Sequence, residues 1–202
     1  MVIWIKILFD FDDILNDLSK CWIAEMNRTY GTRVKFDDVK DYELTESFPD
    51  LSMYQLYAPY LEGKLYLDIH PVKEAQALVE RLAATDELFV CTAGVVGVNT
   101  MTLYEYLWNN ETTRCTDNFL RFLGEYYPQI RRENIIICPR KYMVNGDVLI
   151  DDNPAYFNGF AGAKILLDKP YNRDYDCAVH GVFRARNYDD IARQIEIIRE
   201  EH

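Results

Sequence analysis

Three aspartates, Asp10, Asp12 and Asp13, follow the apolar run IWIKILF at residues 3–9. Thr92 closes a second run, ELFVC at 87–91, and Lys141 lies just past a third, NIIIC at 134–138. Asp151 and Asp152 close a fourth, DVLI at 147–150. Carboxylates gathered this closely repel one another and call for a divalent cation. Mg²⁺ suits such a set, because it takes one or two carboxylates, a carbonyl, waters and substrate phosphate oxygens. An aspartate can attack phosphorus and carry the phosphoryl group as an aspartyl-phosphate. A second carboxyl two residues on can protonate the leaving oxygen and later take a proton from water. A hydroxyl, backbone N–H groups and a lysine neutralise the remaining phosphate oxygens. The chemistry these residue types fit is cleavage of a phosphate ester.

Each residue alone has a plainer reading. Aspartates after a strand are common turn formers and helix N-caps, and Asp13, Asp17 and Asp147 are read in that way. Thr92 alone could be a helix cap, and Lys141 alone a solvated charge. What the plainer reading leaves unexplained is the ordered set Asp10/Asp12, Thr92, Lys141, Asp151/Asp152, each at the end of its own apolar run.

The runs themselves read as strands. Continuous apolar segments of this length fit a parallel sheet buried on both faces, and further strands are expected at 164–167 and 182–185. Helical spacing is found at 18–29, 52–62 (where Pro59 should bend or end the helix), 72–84, 100–108, 117–127 and 188–200, with a short helix near 154–160. Asn187 stands as N-cap of the last helix. The alternation predicts an α/β fold, a doubly wound and mostly parallel sheet. Residues past the carboxyl ends of such strands share one crevice, which would collect the polar set. Residues 18–70, acidic and rich in tyrosine, interrupt the alternation. They are read as a small helical cap inserted after the first strand, with 1–17 and 71–202 forming the core. Its aromatic residues, Tyr30, Phe36, Tyr42, Phe48, Tyr54, Tyr57 and Tyr60, are expected mostly to pack the cap itself.

The chain has 202 residues, with 22 Lys+Arg against 33 Asp+Glu and a net charge of −11. That balance argues against a partner that is a nucleic-acid polymer or an anionic membrane surface, and leaves a small phosphate ester as the expected partner. A homo-oligomer is compatible with the sequence. Five cysteines without CxxC spacing argue against a disulfide framework or a zinc finger and point to a reducing, cytoplasmic setting. Cys91 and Cys138 are read as small buried hydrophobes. The opening MVIWIKILFD reads as a strand rather than a signal peptide.

The motifs FDFDDIL (Asp10, Asp12), FVCT (Thr92), Lys141 and DVLIDD (Asp151, Asp152) resemble, in this order, those of the haloacid dehalogenase-like hydrolases. Within that superfamily DFDDILND, RKYMVNGDVLIDDNP and KILLDKPYNR resemble the 5′(3′)-deoxyribonucleotidase group. The resemblance implies a Rossmann-like hydrolase core and a Mg²⁺-dependent phosphomonoesterase acting on a deoxynucleoside monophosphate. It implies Asp10 as nucleophile and metal ligand, and Asp12 as acid/base with its carbonyl on Mg²⁺. Thr92, Ala93 and Lys141 would bind the phosphate. Asp152 would bind the metal, with Asp151 beside it in the inner or outer shell. Segment 93–116 has no counterpart in the group and is expected to lengthen a loop over the site. Two readings compete: a phosphatase of a sugar phosphate or other small metabolite, and a non-catalytic phospho-acceptor domain. Against the second, the DxD comes first and an acidic pair follows the lysine.

Overall fold

The computed structural model describes residues 4–61, 64–93 and 112–201. Six strands form one sheet: β1 (Lys6–Phe9), β2 (Glu87–Thr92), β3 (Ile135–Ile137), β4 (Val148–Asp151), β5 (Ala163–Leu167) and β6 (Phe183–Ala185). Their order is β3-β2-β1-β4-β5-β6, and every pairing is parallel. The doubly wound sheet expected from the sequence is thus present. In such a sheet the winding direction reverses beside the first strand, here between β1 and β4, and ligands bind outside the carboxyl ends at that point. Asp10 leaves β1 there, and Asp151 and Asp152 leave β4.

Strand alternation divides the core. Ile7, Phe9, Val148, Ile150, Ile165 and Leu167 face one side. There they meet α4 (Lys73–Leu82), α5 (Thr112–Tyr126) and α6 (Tyr188–Glu201). Leu8, Cys91, Leu149 and Leu166 face the other side and pack on Phe157, Phe160 and Val182. Phe157 ends a single 3₁₀ turn, Pro154–Phe157, where the sequence suggested a short helix. The Asn187 side chain accepts from Asp190 N at 2.9 Å, so α6 has its expected cap. Among the described residues no helix is long and apolar enough to cross a membrane.

Between β1 and α4 lie α1 (Leu18–Tyr30), the 3₁₀ turn Phe36–Asp38, α2 (Met53–Leu61) and α3 (Leu65–Asp68). Pro59 lies inside α2. A proline there leaves a carbonyl one turn back without its donor, and the helix ends two residues later. Trp22 of α1 is the packing centre of this segment. Its ring stacks on Tyr60 with centroids 5.7 Å apart, meets Tyr57 edge-on at 5.0 Å, and donates to Leu56 O at 2.8 Å. Phe48 and Tyr60 are buried with it, the role expected for most of these aromatics. The two chain crossings into this segment lie side by side. Asn16 and Pro71 form an antiparallel bridge, and Val72 N donates to Leu15 O at 3.1 Å. The helix expected at 100–108, and most of the unmatched segment 93–116, fall outside the described residues.

Candidate active site

The loop after β1 is held from several directions. Asp10 N donates to Ile150 O at 2.9 Å, which extends the β1–β4 pairing by one residue. Phe11 turns into the core and meets Phe119 and Phe122 of α5 edge-on, at 4.6 Å and 5.4 Å. Tyr188 donates to Ile14 O at 2.6 Å, and Tyr127 donates to Leu15 O. Asn16 donates to Phe11 O at 3.0 Å. Asp13 takes a left-handed backbone, φ 57°, which a short polar side chain tolerates better than most. It is buried and accepts from Ser19 N at 3.0 Å, so it ties the loop to α1. This is the structural role read for it. Asp17 stands at the N-cap position of α1 but makes no capping bond; its carboxylate turns to His70 N at 2.7 Å instead. Asp147 accepts from Lys6 N at 2.7 Å, a backbone anchor as expected.

Asp10, Asp151 and Asp152 converge, each offering an oxygen within 4.8 Å of the others. All three are buried. Lys141, itself buried, places Nζ 2.7 Å from Asp10 Oδ1 and 2.6 Å from Asp151 Oδ2. Its ammonium also lies 4.4 Å from the centre of the Tyr156 ring, a cation–π contact. Burial works against the charged lysine, yet Asp10 and Asp151 outweigh it and hold the ammonium protonated. One ammonium pairs with two of the three carboxylates and leaves Asp152 without it. Burial, then the charge of Asp10 against the opposing pull of Lys141, leaves Asp151 pushed up to about 7. Asp152 is likewise pushed up, by burial and by Asp13, Asp151 and Asp10. Among the described residues, Asp152 Oδ1 is a buried oxygen that accepts no hydrogen bond. Buried polar atoms are rarely left so, and three converging carboxylates with one such oxygen fit a hard divalent cation.

Asp12 stands apart from this cluster. Its Oδ2 accepts from the Tyr66 hydroxyl at 2.9 Å, and its Oδ1 accepts from Asn16 at 3.3 Å. Burial, then the charge of Asp10, pushes its carboxyl up to about 8. Thr92 ends β2 beside β1, with Ala93 next in the chain, and both are buried. The structure therefore places Asp10, Asp12, Thr92, Ala93, Lys141, Asp151 and Asp152 along one edge of the sheet. The converging carboxylates are those of Asp10, Asp151 and Asp152, with Lys141 between the first two. Thr92 O accepts from Cys138 N at 2.8 Å, which joins β2 to the segment carrying Lys141.

Several side chains here escaped the sequence reading. Tyr66 and Asn16 hold Asp12. Tyr171 donates to Asp152 Oδ2 and, at 3.3 Å, to Asp13 Oδ2. Asn172 donates to Asp152 O at 2.8 Å and to Leu167 O at 2.9 Å. Tyr171 and Asn172 belong to the PYN element quoted for the family resemblance, which was their available signal. Tyr42 and Phe36 meet Tyr171 edge-on, at 5.6 Å and 6.3 Å. Desolvation and the charges of Asp152, Asp10 and Asp12 push the Tyr42 hydroxyl up, although the residue as a whole is 39% exposed. The aromatics of 18–70 were expected mostly to pack the cap itself; Tyr42 and Phe36 reach beyond that segment to Tyr171. Cys138, read as buried, is partly exposed; the described cysteines are free thiols.

The family model of the 5′ nucleotidase, deoxy (pyrimidine), cytosolic type C proteins matches residues 3–201. The chain belongs to that family. This places it among nucleotidase-type phosphatases, as the ordered motifs implied. A 5′(3′)-deoxyribonucleotidase of Bacillus subtilis is 24% identical over 190 residues, 94% of this chain and 97% of the relative. A second, from Clostridium acetobutylicum, is 25% identical over 191 residues, 95% and 94% of the two chains. Among solved structures, an inferred phosphatase from Clostridium difficile matches with a TM-score of 0.52 at 11% identity, covering 95% of this chain and 98% of that one. An inferred phosphatase from Clostridium acetobutylicum matches with 0.50 at 13%, covering 96% and 99%. The two structures share the nucleotidase-family chain's fold.

Proposed function

We propose that the protein is a Mg²⁺-dependent phosphomonoesterase that hydrolyses deoxynucleoside monophosphates through an aspartyl-phosphate on Asp10. The observation that carries this reading is the different setting of two carboxyls two residues apart. Asp10 is ion-paired with Lys141. Asp12 stands apart from the acidic cluster, bonded to Tyr66 and Asn16, and burial pushes its carboxyl up toward the protonated acid. An enzyme needs this division between nucleophile and proton donor.

Asp10 and Asp152 would hold the cation, with the Asp12 carbonyl completing the protein's share and Asp151 beside them. When bound, the ion supplies positive charge to the phosphate oxygens and relieves the repulsion within the acidic cluster. The Asp10 carboxylate attacks phosphorus, and the bond from phosphorus to the ester oxygen breaks. Asp12 gives its proton to that departing oxygen. Asp12, now a carboxylate, takes a proton from water as the water oxygen attacks the same phosphorus. Phosphate leaves, and Asp10 and Asp12 return to their starting states. Lys141, the Thr92 hydroxyl and the Ala93 N–H neutralise the phosphoryl oxygens.

Residues 18–70 act as a cap over this edge, and the core comprises 1–17 and 71–202. The cap brings Tyr66 to the acid and Tyr42 and Phe36 to Tyr171. Such rings suit a nucleobase, which favours a nucleotide over a sugar phosphate. The test is phosphate release from a panel of deoxynucleotides, ribonucleotides and sugar phosphates, with Mg²⁺ and with EDTA. Deoxynucleotides hydrolysed at least about tenfold faster than the rest, and only with Mg²⁺, is the expected result; equal rates on sugar phosphates would sink the substrate assignment.

A further inference from the structure

A second cluster of potential metal ligands lies away from the acidic edge, where the chain enters and leaves the segment 18–70. Asp17 stands just before α1, Cys21 lies one turn along it, and His70 comes from the returning chain just before Pro71. Cys21 Sγ stands 3.3 Å from Asp17 Oδ1 and 3.9 Å from His70 Nδ1. His70 Nδ1 stands 3.4 Å from Asp17 Oδ2. The ligand atoms of the three residues lie within 4.8 Å of one another. The Asp68 carbonyl is 3.4 Å from the same sulfur.

We propose that Asp17, Cys21 and His70 form a binding site for a borderline-soft divalent cation of the zinc type, clipping the two chain crossings together. Tetrahedral zinc with sulfur at about 2.3 Å and nitrogen or oxygen at about 2.0 Å sets its ligand atoms roughly 3.3–3.6 Å apart. The 3.4 Å between His70 Nδ1 and Asp17 Oδ2 falls in that range, and Cys21 Sγ lies 3.3 Å from the other carboxylate oxygen, Oδ1. The 3.9 Å between Cys21 Sγ and His70 Nδ1 closes by movement of His70, whose side chain is 76% exposed, and a small turn of the Asp17 carboxylate brings one oxygen to both. One thiolate, one imidazole and one carboxylate are a zinc donor set, whereas Mg²⁺ prefers oxygen alone. The fourth position falls to the Asp68 carbonyl or a water. The Asp17 carboxylate is already oriented by His70 N at 2.7 Å, the kind of outer contact that fixes a ligand. Binding releases the Cys21 thiol proton to solvent. Sequence spacing hides this site, because Cys21 and His70 are 49 residues apart.

The site is independent of the phosphatase reading, and its test needs no substrate. Tag-free protein is titrated with Co²⁺ in excess Mg²⁺, which occupies oxygen-only sites. The expected result is a thiolate-to-cobalt charge-transfer band in the near ultraviolet with tetrahedral d–d bands, all removed by stoichiometric Zn²⁺. Cys21→Ser should abolish the charge-transfer band, and His70→Ala should weaken Zn²⁺ binding at least about tenfold. His70→Ala alters an exposed side chain, so the test survives a poorly folded Cys21→Ser. No band in the wild type, a band that persists in Cys21→Ser, or unchanged Zn²⁺ affinity in His70→Ala would each overturn the proposal.

Discussion

The Tyr66 hydroxyl, on α3, stands 2.9 Å from Asp12 Oδ2, on the loop after β1. The helical segment thus reaches into the core and touches the carboxyl proposed to move protons. Burial and the Asp12 charge push the tyrosine up, so it stays a donor at neutral pH. The bond stabilises the carboxylate that Asp12 becomes after giving up its proton. Tyr66→Phe should lower kcat about tenfold, since one hydrogen bond to a charged group contributes about 1.5–3 kcal/mol. The same bond lowers the Asp12 pKa, so its loss should move the alkaline limb of the kcat profile to higher pH. A pH–rate series on both proteins checks this; an unmoved limb would separate Tyr66 from the acid.

Replacing the proposed nucleophile should be decisive. Asp10→Asn should abolish turnover with the fold intact by circular dichroism, because an amide is too weak a nucleophile at neutral pH. Asp12→Asn should lower kcat by about 10²–10⁴, the usual worth of a positioned acid/base. Wild-type rates in purified Asp10→Asn would refute the assignment.

Lys141 should matter for stability as well as for binding. It is buried between Asp10 and Asp151, and removing one partner of a buried pair leaves the other uncompensated. Lys141→Met should cost about 3–5 kcal/mol in urea unfolding with EDTA present. Adding Asp151→Asn to that variant should recover part of the loss, because one stranded carboxylate is gone. No recovery in the double variant would mean that the lysine acts through packing alone.

The acidic edge also fixes how stability depends on pH. Burial foremost raises Asp12 from 3.8 to about 8 and Asp151 from 3.8 to about 7. In the unfolded chain both ionise near the ordinary value. Between about pH 4 and pH 8 the folded chain therefore binds more protons, and its stability falls as pH rises. With EDTA, Tm should decrease from pH 5 to pH 8, and saturating Mg²⁺ should flatten that slope by favouring the carboxylates. A Tm that climbs through this window in EDTA would contradict the buried-acid picture.

The strands were legible because each is a short, continuous apolar run, and a parallel sheet buried on both faces needs just that. The convergence of Asp10, Lys141, Asp151 and Asp152 was legible for a related reason: a strand that stops at the sheet's edge puts the next polar residue into the crevice. Tyr66, Tyr42 and Tyr171 carry no such mark. Tyr66 meets Asp12 across 54 residues and Tyr171 meets Asp13 across 158. A tyrosine that packs a cap and one that grips a carboxylate look alike in sequence, since the ring accounts for most of the burial in either case. Asp17 misled for a similar reason. Its place before a helix suggested a cap, but its carboxylate accepts from His70 N of the returning chain rather than from its own helix.

The central pairing of β1 with β4 has a bearing on how the molecule comes into being. Lys6 N reaches the Asp147 carboxylate across 141 residues, so the middle of the sheet closes only after most of the chain exists. Contacts of such separation are slow to form. On the ribosome, the first strand emerges with its aspartates long before Lys141 and β4 are made. Until then the nascent chain carries the aspartates of one half-site without their ammonium. The buried ion pairs of Lys141 with Asp10 and Asp151 therefore belong to the late part of synthesis, after most of the chain has been made.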